Sequence, residues 1–199
     1  MRKVAFVVEA RTVFLTVVAT IATLPFPVSA VLADPAGSVY ELQLPLVDQH
    51  GKTLKLDRYR GHPVIVTLFY SSCPNACPLL IESLRATENS LRAPERSELR
   101  VLLVSIDPER DTPTALNKLA AQRRIDLGRW TLATMSAGDV RLLAAALNIQ
   151  YRRLPDGEYN HSSTLTLLSK DGELLKQSSL LGKADPEFVG AVAKAYSSK

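Results

Sequence analysis

The stretch Val64-Ile65-Val66-Thr67-Leu68-Phe69-Tyr70-Ser71-Ser72-Cys73-Pro74-Asn75-Ala76-Cys77-Pro78 organises the rest of this chain. Its first seven residues are apolar, β-branched or aromatic almost without a break, the pattern of a strand buried on both faces. The strand runs into a Cys-x-x-x-Cys loop that holds both cysteines of the protein. An apolar pattern of helical period begins beyond Pro78, so the thiols fall between a central strand and a helix N-terminus. Aligned backbone N–H groups at such a terminus favour thiolate over thiol and predict a cysteine pKa below the free value of roughly 8.5.

Three chemistries fit two cysteines at this spacing. A structural disulfide is within geometric reach, but a bridge closing so short a loop constrains the unfolded chain little. A dithiol redox centre is the second, although such centres usually carry Cys-x-x-Cys. The third is a soft-metal site. Two thiolates suit Cu(I) or Zn(II), and either ion then needs a further ligand from elsewhere in the chain.

The 199 residues, 46% of them hydrophobic, suffice for one compact domain with a substantial core plus a leader. The formal charge of +4 is partly a leader effect, because Arg2, Lys3 and Arg11 outweigh Glu9 before residue 31. No cluster of Lys and Arg interleaved with aromatics occurs, which argues against a nucleic-acid partner. Two cysteines make no disulfide scaffold.

Residues 1–33 are expected to be a signal peptide or a membrane anchor. The basic residues precede an uncharged run from Thr12 to Ala33, whose first half is apolar enough for a signal h-region before Pro25 and Pro27 break it. Val28-Ser29-Ala30 and Val31-Leu32-Ala33 offer small residues suited to cleavage. Uncleaved, residues 12–33 are long enough to span a bilayer, which takes about 20 residues. Either outcome puts the domain in the periplasm or on the outer face of the cytoplasmic membrane, with positive charge left inside.

Residues 34–39 read as a linker and 40–199 as the domain. Tyr40 to Leu44 alternates as a half-buried strand, and Asp48-Gln49-His50-Gly51-Lys52 reads as a hairpin turn before Thr53–Leu56. The helix after Pro78 carries Leu80, Leu84, Thr87 and Leu91 inward. Arg100 to Ile106 is a second buried strand. Thr112 as N-cap and Pro113 at the first helical position start another helix. Trp130 to Ala133 is a third strand, and Ser136 caps the helix with Val140, Leu143, Ala144 and Leu147 on one face. Pro155-Asp156-Gly157 marks a turn, Ser163–Leu168 and Glu173–Leu175 form a hairpin, and Asp185-Pro186 opens a last helix. The pattern predicts an α/β domain with a central mixed sheet flanked by helices and an N-terminal β-hairpin.

This order, with the cysteines after the first long core strand, resembles the thioredoxin-like fold. Three motifs narrow the resemblance: Phe69-Tyr70-Ser71-Ser72-Cys73-Pro74-Asn75-Ala76-Cys77-Pro78, then Val104-Ser105-Ile106-Asp107-Pro108-Glu109-Arg110-Asp111-Thr112-Pro113, then His161-Ser162-Ser163 before a strand and Asp171-Gly172. Together they are similar to the SCO/SenC family of copper-binding proteins, over roughly residues 40–196. The resemblance implies a membrane-associated protein that helps assemble the CuA centre of cytochrome c oxidase, with Cys73, Cys77 and His161 as ligands of Cu(I) or Cu(II). Its implied partners are the oxidase subunit carrying the CuA site and another copper chaperone or a thiol reductase. His50 and His62 lie in turns upstream of the core strand and read as solvated. One position departs from the family pattern: an acidic residue often follows the first Cys-Pro, and this chain has Asn75. Asp107, Glu109 and Asp111 read as capping the following helix and pairing with Arg110, not as a second metal site.

Two functions follow. The first is a copper metallochaperone, a binding and delivery protein and not an enzyme, with a three-coordinate site of two thiolates and one imidazole. The alternative is a thiol–disulfide oxidoreductase that reduces cysteines of a copper-receiving partner through Cys73 and Cys77 as its redox pair. A peroxidase is disfavoured, since a peroxiredoxin-like site wants Thr-x-x-Cys and Tyr70 stands three residues before Cys73.

Overall fold

In the computed structural model, which describes residues 37–73 and 76–197, a hairpin of β1 (Pro45–Asp48) and β2 (Thr53–Lys55) precedes the core strand β3 (Val64–Phe69). The 1–33 leader, the first half of the 34–39 linker and Asn75 lie outside the described residues. The chain then runs through α1 (Ala76–Ser90), α2 (Ala93–Glu98), β4 (Arg100–Ser105), α3 (Pro113–Gln122), β5 (Trp130–Thr134) and α4 (Ala137–Ala146). It closes with β6 (Tyr151–Arg153), β7 (Tyr159–His161), β8 (Leu165–Leu168), β9 (Leu174–Ser178) and α5 (Pro186–Ser197).

Seven strands form one mixed sheet in the order β2-β1-β5-β4-β3-β8-β9. All six residues of β3 are buried, as the unbroken apolar run requires of a strand with neighbours on both edges and packing on both faces. It pairs in parallel with β4, Val64 opposite Arg100 through Phe69 opposite Ser105, and antiparallel with β8, Val64 opposite Leu168. Helices α1 and α2 make the crossover that a parallel β3–β4 pair needs, and α3 makes the one from β4 to β5. Helix α1 packs beside α5, and α3 packs against β5 and β1. This is the thioredoxin-like arrangement expected, with the N-terminal hairpin extending one edge of the sheet.

Caps and turns form where the sequence places them. Thr112 accepts from the Ala115 amide and Ser136 from the Asp139 amide, with Pro113 at the first position of α3. The Asp48 carboxylate accepts from the amides of His50 and Lys52, each at 2.9 Å, and so fixes the β1–β2 turn.

Four local expectations need correction. Tyr40–Leu44 is not a strand: Val39–Leu42 is a 3-10 turn capped by Ser38, and Gln43 adopts the left-handed conformation. Tyr40 and Leu44 are buried while Leu42 faces out, and residues four apart share a helical face as readily as they alternate along a strand. Helix α1 begins at Ala76, two residues before Pro78; proline is tolerated in the first turn, whose amides have no partner within the helix. The short helix α2 was not expected, and the Glu95 carboxylate accepts from the Arg92 amide at 2.9 Å to cap it. The turn at Pro155-Asp156-Gly157 joins β6 and β7, a separate two-stranded ribbon that pairs Tyr151 with His161 and Arg153 with Tyr159. This ribbon was not expected, and His161 ends its second strand, just ahead of the β8–β9 hairpin.

Candidate metal centre

Strand β3 delivers the chain to the carboxyl edge of the parallel strands, where open α/β sheets commonly place ligands. Cys73 lies just past that edge, with its amide donating to the Tyr70 carbonyl at 3.2 Å. Cys77 is the second residue of α1, and its Sγ donates to the same carbonyl at 3.2 Å. One backbone oxygen thus holds both ends of the cysteine loop. Both cysteines are buried.

The third group arrives on the β6–β7 ribbon. One ligand atom from each of Cys73, Cys77 and His161 lies within 4.8 Å of the other two. Both ring nitrogens of His161 are shut off from solvent, and among the described residues neither makes a hydrogen bond of good geometry; the Ser162 backbone only partly offsets the effect of burial on the ring. Buried imidazole nitrogens rarely stay unsatisfied, so this pair beside two sulfurs has the chemistry of a soft-metal donor set. Burial lowers the pKa of His161, favouring the neutral ring that can bind metal. His50 is exposed in the β1–β2 turn, and His62 lies 3.0 Å from the Glu98 carboxylate; neither reaches the cysteines.

The expected low thiol pKa does not hold for Cys77. Burial pushes it far above the ordinary range and the neighbouring Cys73 adds to the rise, outweighing any help from the helix terminus. A soft cation between the sulfurs would supply the charge that stabilises thiolates, with release of the thiol protons.

Several residues that build this centre were not singled out from sequence as doing so. The Tyr70 ring stands edge-on to the His161 ring at 5.7 Å and tilted against Tyr159 at 5.3 Å, walling the imidazole. Arg110 ties the ribbon to the body: it pairs with Asp107 and donates to the Gly157 carbonyl at 2.7 Å and to Glu158 at 3.3 Å. Asp111 does not cap α3, which Thr112 does. Its buried carboxylate accepts from the Ser71 amide at 2.9 Å, from the Ser71 hydroxyl and from the Ser105 hydroxyl at 2.5 Å, locking the approach to Cys73 onto β4. Glu109 faces outward to Arg153 at 3.2 Å. Each of these carboxylates has a protein partner, in keeping with their reading as structural. Among the described residues only Cys73, Cys77 and His161 group as potential metal ligands.

The sequence profile of the SCO1/SenC family matches residues 34–196. A SCO1 protein homolog of Bacillus subtilis is 27% identical over 132 residues, covering 65% of this chain and 68% of the homolog. A Stutzerimonas stutzeri protein named for copper binding is 29% identical over 136 residues, covering 66% of this chain and 65% of that protein. The chain thus spans about two thirds of the length of these curated relatives. Among solved structures, BsSco, described as a Sco-family cytochrome c oxidase assembly protein with a disulfide switch, is 25% identical. It superposes with a TM-score of 0.65 over 78% of this chain and 92% of its own. With a family profile matched over most of its length and the Cys-x-x-x-Cys loop at the edge of a thioredoxin-like sheet, the chain belongs to the SCO1/SenC family.

Proposed function

We propose that this chain is a copper metallochaperone that binds Cu(I) or Cu(II) through Cys73, Cys77 and His161 and assists assembly of the CuA centre of cytochrome c oxidase. The observation that carries the reading is the convergence, within 4.8 Å, of two buried cysteine sulfurs and a half-buried imidazole whose nitrogens are shut off from solvent. Two soft donors and one borderline donor suit Cu(I), and Cu(II) can be taken with an added oxygen ligand. The copper-binding name of the Stutzerimonas relative and the oxidase-assembly role given for BsSco support it. Copper here is cargo, so the chain delivers and does not catalyse. The receiving partner in this reading is the oxidase subunit bearing the CuA site, and a second copper chaperone or a thiol reductase would load or reduce the protein. Residues 1–33, as signal peptide or anchor, would put the domain outside the cytoplasmic membrane.

The second reading, thiol–disulfide exchange on a copper-receiving partner, draws on the proximity of the two sulfurs and on the disulfide switch described for BsSco. The raised pKa of Cys77 weighs against it as the attacking thiolate in the metal-free protein.

A competition titration against a Cu(I) chelator, run beside a dithiol exchange assay, separates the two. His161→Ala should weaken Cu(I) binding by at least about tenfold, because water replaces imidazole poorly on a soft ion, and should leave exchange through sulfur intact. Cys73→Ser and Cys77→Ser should each abolish both. Parental copper affinity in His161→Ala would overturn the three-ligand assignment and put the oxidoreductase reading first.

A further inference from the structure

The β6–β7 ribbon carries a second feature that the metal site does not use. A depression of about 340 Å³ lies beside His161, Asn160 and Gln150, and another of about 380 Å³ lies beside Arg141, Arg153 and Glu109. Both are lined by Tyr151 and Arg152, so the two depressions adjoin along β6, one reaching the candidate metal ligand and the other α4; the two together are termed the groove. Three arginines line it against one carboxylate, Glu109, which Arg153 engages at 3.2 Å. Arg141 and Arg152 are exposed, and among the described residues neither has an ion-pair or hydrogen-bond partner. The carboxylates on the same elements are engaged locally: Glu158 with Arg110, Asp156 with the Glu158 amide, and Asp139 with the hydroxyl of Ser136. The fold therefore presents two uncompensated guanidinium groups and the half-buried rings of Tyr151 and Tyr159 along one concave strip.

We propose that this groove docks an acidic segment of the protein that exchanges metal with the Cys73, Cys77 and His161 site, with carboxylates of the segment pairing to Arg141 and Arg152. The exchange role of that partner rests on the copper reading; the acidic, chain-like character of the ligand rests on the groove itself. Guanidinium forks match carboxylates in a bidentate fashion, and tyrosine rings give a peptide an apolar floor with a polar edge. The concavity favours a chain over a lipid surface, since planar headgroups would meet the rim arginines without reaching the half-buried tyrosines. Tyr151 is the register partner of His161, so a segment lying along β6 sits one strand away from the imidazole. Docking there would bring the partner's own metal ligands beside the ion to be exchanged.

The test uses the full chain, metal-free, and a fluorescein-labelled oligoglutamate peptide, with the oligoglutamine peptide as control, read by fluorescence anisotropy. The parent should bind the glutamate peptide, more weakly as salt is raised. R141E/R152E should weaken that binding by at least about tenfold, with R141Q/R152Q between the two. Equal binding by R141E/R152E overturns the proposal. Binding of phosphatidylglycerol vesicles with no binding of oligoglutamate also overturns it, in favour of a membrane surface. The same proteins titrated with Cu(I) keep the two readings apart, because R141E/R152E should retain the parental copper stoichiometry. A parent that takes up no Cu(I) overturns the copper reading and with it the exchange role of the partner, while the peptide result still decides the groove.

Discussion

Replacing Asp111 with alanine should be among the most damaging single changes outside the hydrophobic core. Its carboxylate is buried and serves three donors, the Ser71 amide, the Ser71 hydroxyl and the Ser105 hydroxyl. The Ser71 hydroxyl is half-exposed and can turn to water. The Ser71 amide is fixed by the backbone, and Ser105 is fully buried on β4, so these two donors lose their partner outright. An unsatisfied buried donor costs about 1–3 kcal/mol, so the pair gives roughly 4 kcal/mol. In a domain of this size each kcal/mol moves Tm by about 2–4 °C, so the expected drop is about 8–16 °C. Asp111→Asn keeps one acceptor oxygen and should lose about half as much. The assay is urea and thermal unfolding of the metal-free protein, with both variants beside the parent. Asp111→Ala unfolding within about 1 kcal/mol of the parent would refute the latch, since that loss matches an ordinary surface change. Because Ser71 stands two residues before Cys73, the same variant should also bind Cu(I) more weakly through a loosened cysteine loop.

Gly172 has φ +88, and a Cβ there would come within 2.6 Å of the Ser38 hydroxyl and the Tyr40 ring. Gly157, at φ +84, has nothing within 4 Å of the same position. Gly172→Ala should therefore cost at least twice the roughly 1 kcal/mol expected for Gly157→Ala, and similar losses in denaturant titrations would contradict the packing described. His161 has its pKa lowered by burial, so below the ordinary histidine value of about 6.5 the unfolded chain takes up a proton that the folded chain resists. Stability of the metal-free protein should thus fall as pH drops from about 7 to 5, and His161→Gln should flatten that slope; an unchanged slope would assign it to other groups. Thr112→Ala removes the cap of α3 and should cost about 1 kcal/mol in urea unfolding.

The parts of the fold legible in the sequence are those where one signal has one structural meaning. The unbroken run from Val64 to Phe69 can only be satisfied by packing on both faces, and Thr112-Pro113 supplies a cap and a fixed φ together. Tyr40 to Leu44 was misleading because its spacing suits a turn of helix and a strand equally, and the choice is made by Gly172, whose carbonyl takes the Val39 amide at 2.9 Å. The spacing and placement of the two cysteines marked them as a candidate site and left a disulfide, a redox pair and a metal site open. His161 was not: an isolated histidine carries no local mark of what it faces, and it was singled out by the need of two thiolates for a third ligand taken together with the family resemblance. Asp111 was visible as part of an acidic cluster, but its donors on Ser71 and Ser105 lie on two different strand ends brought together by the β3–β4 pairing. The groove arginines were scattered through the chain as Arg141, Arg152 and Arg153, and no linear charge count reveals that α4 and β6 set them side by side.

The division of the sheet into a seven-stranded body and a two-stranded ribbon has a kinetic meaning. The sulfurs are rooted in the body, at the end of β3 and the start of α1, whereas the imidazole is rooted in the ribbon, tied to the body by Arg110, the Arg153–Glu109 pair and the Tyr70–Tyr159 contact among others. Opening the ribbon alone would withdraw the His161 imidazole from the two sulfurs while the thioredoxin-like core stays folded. In the proposed copper protein, access of a partner's ligands to an ion held by Cys73, Cys77 and His161 would then be set by a local opening and not by global unfolding. Amide hydrogen exchange should register this as two classes of protection, with the amides of Arg152 and Asn160 turning over well before those of β3 and β4.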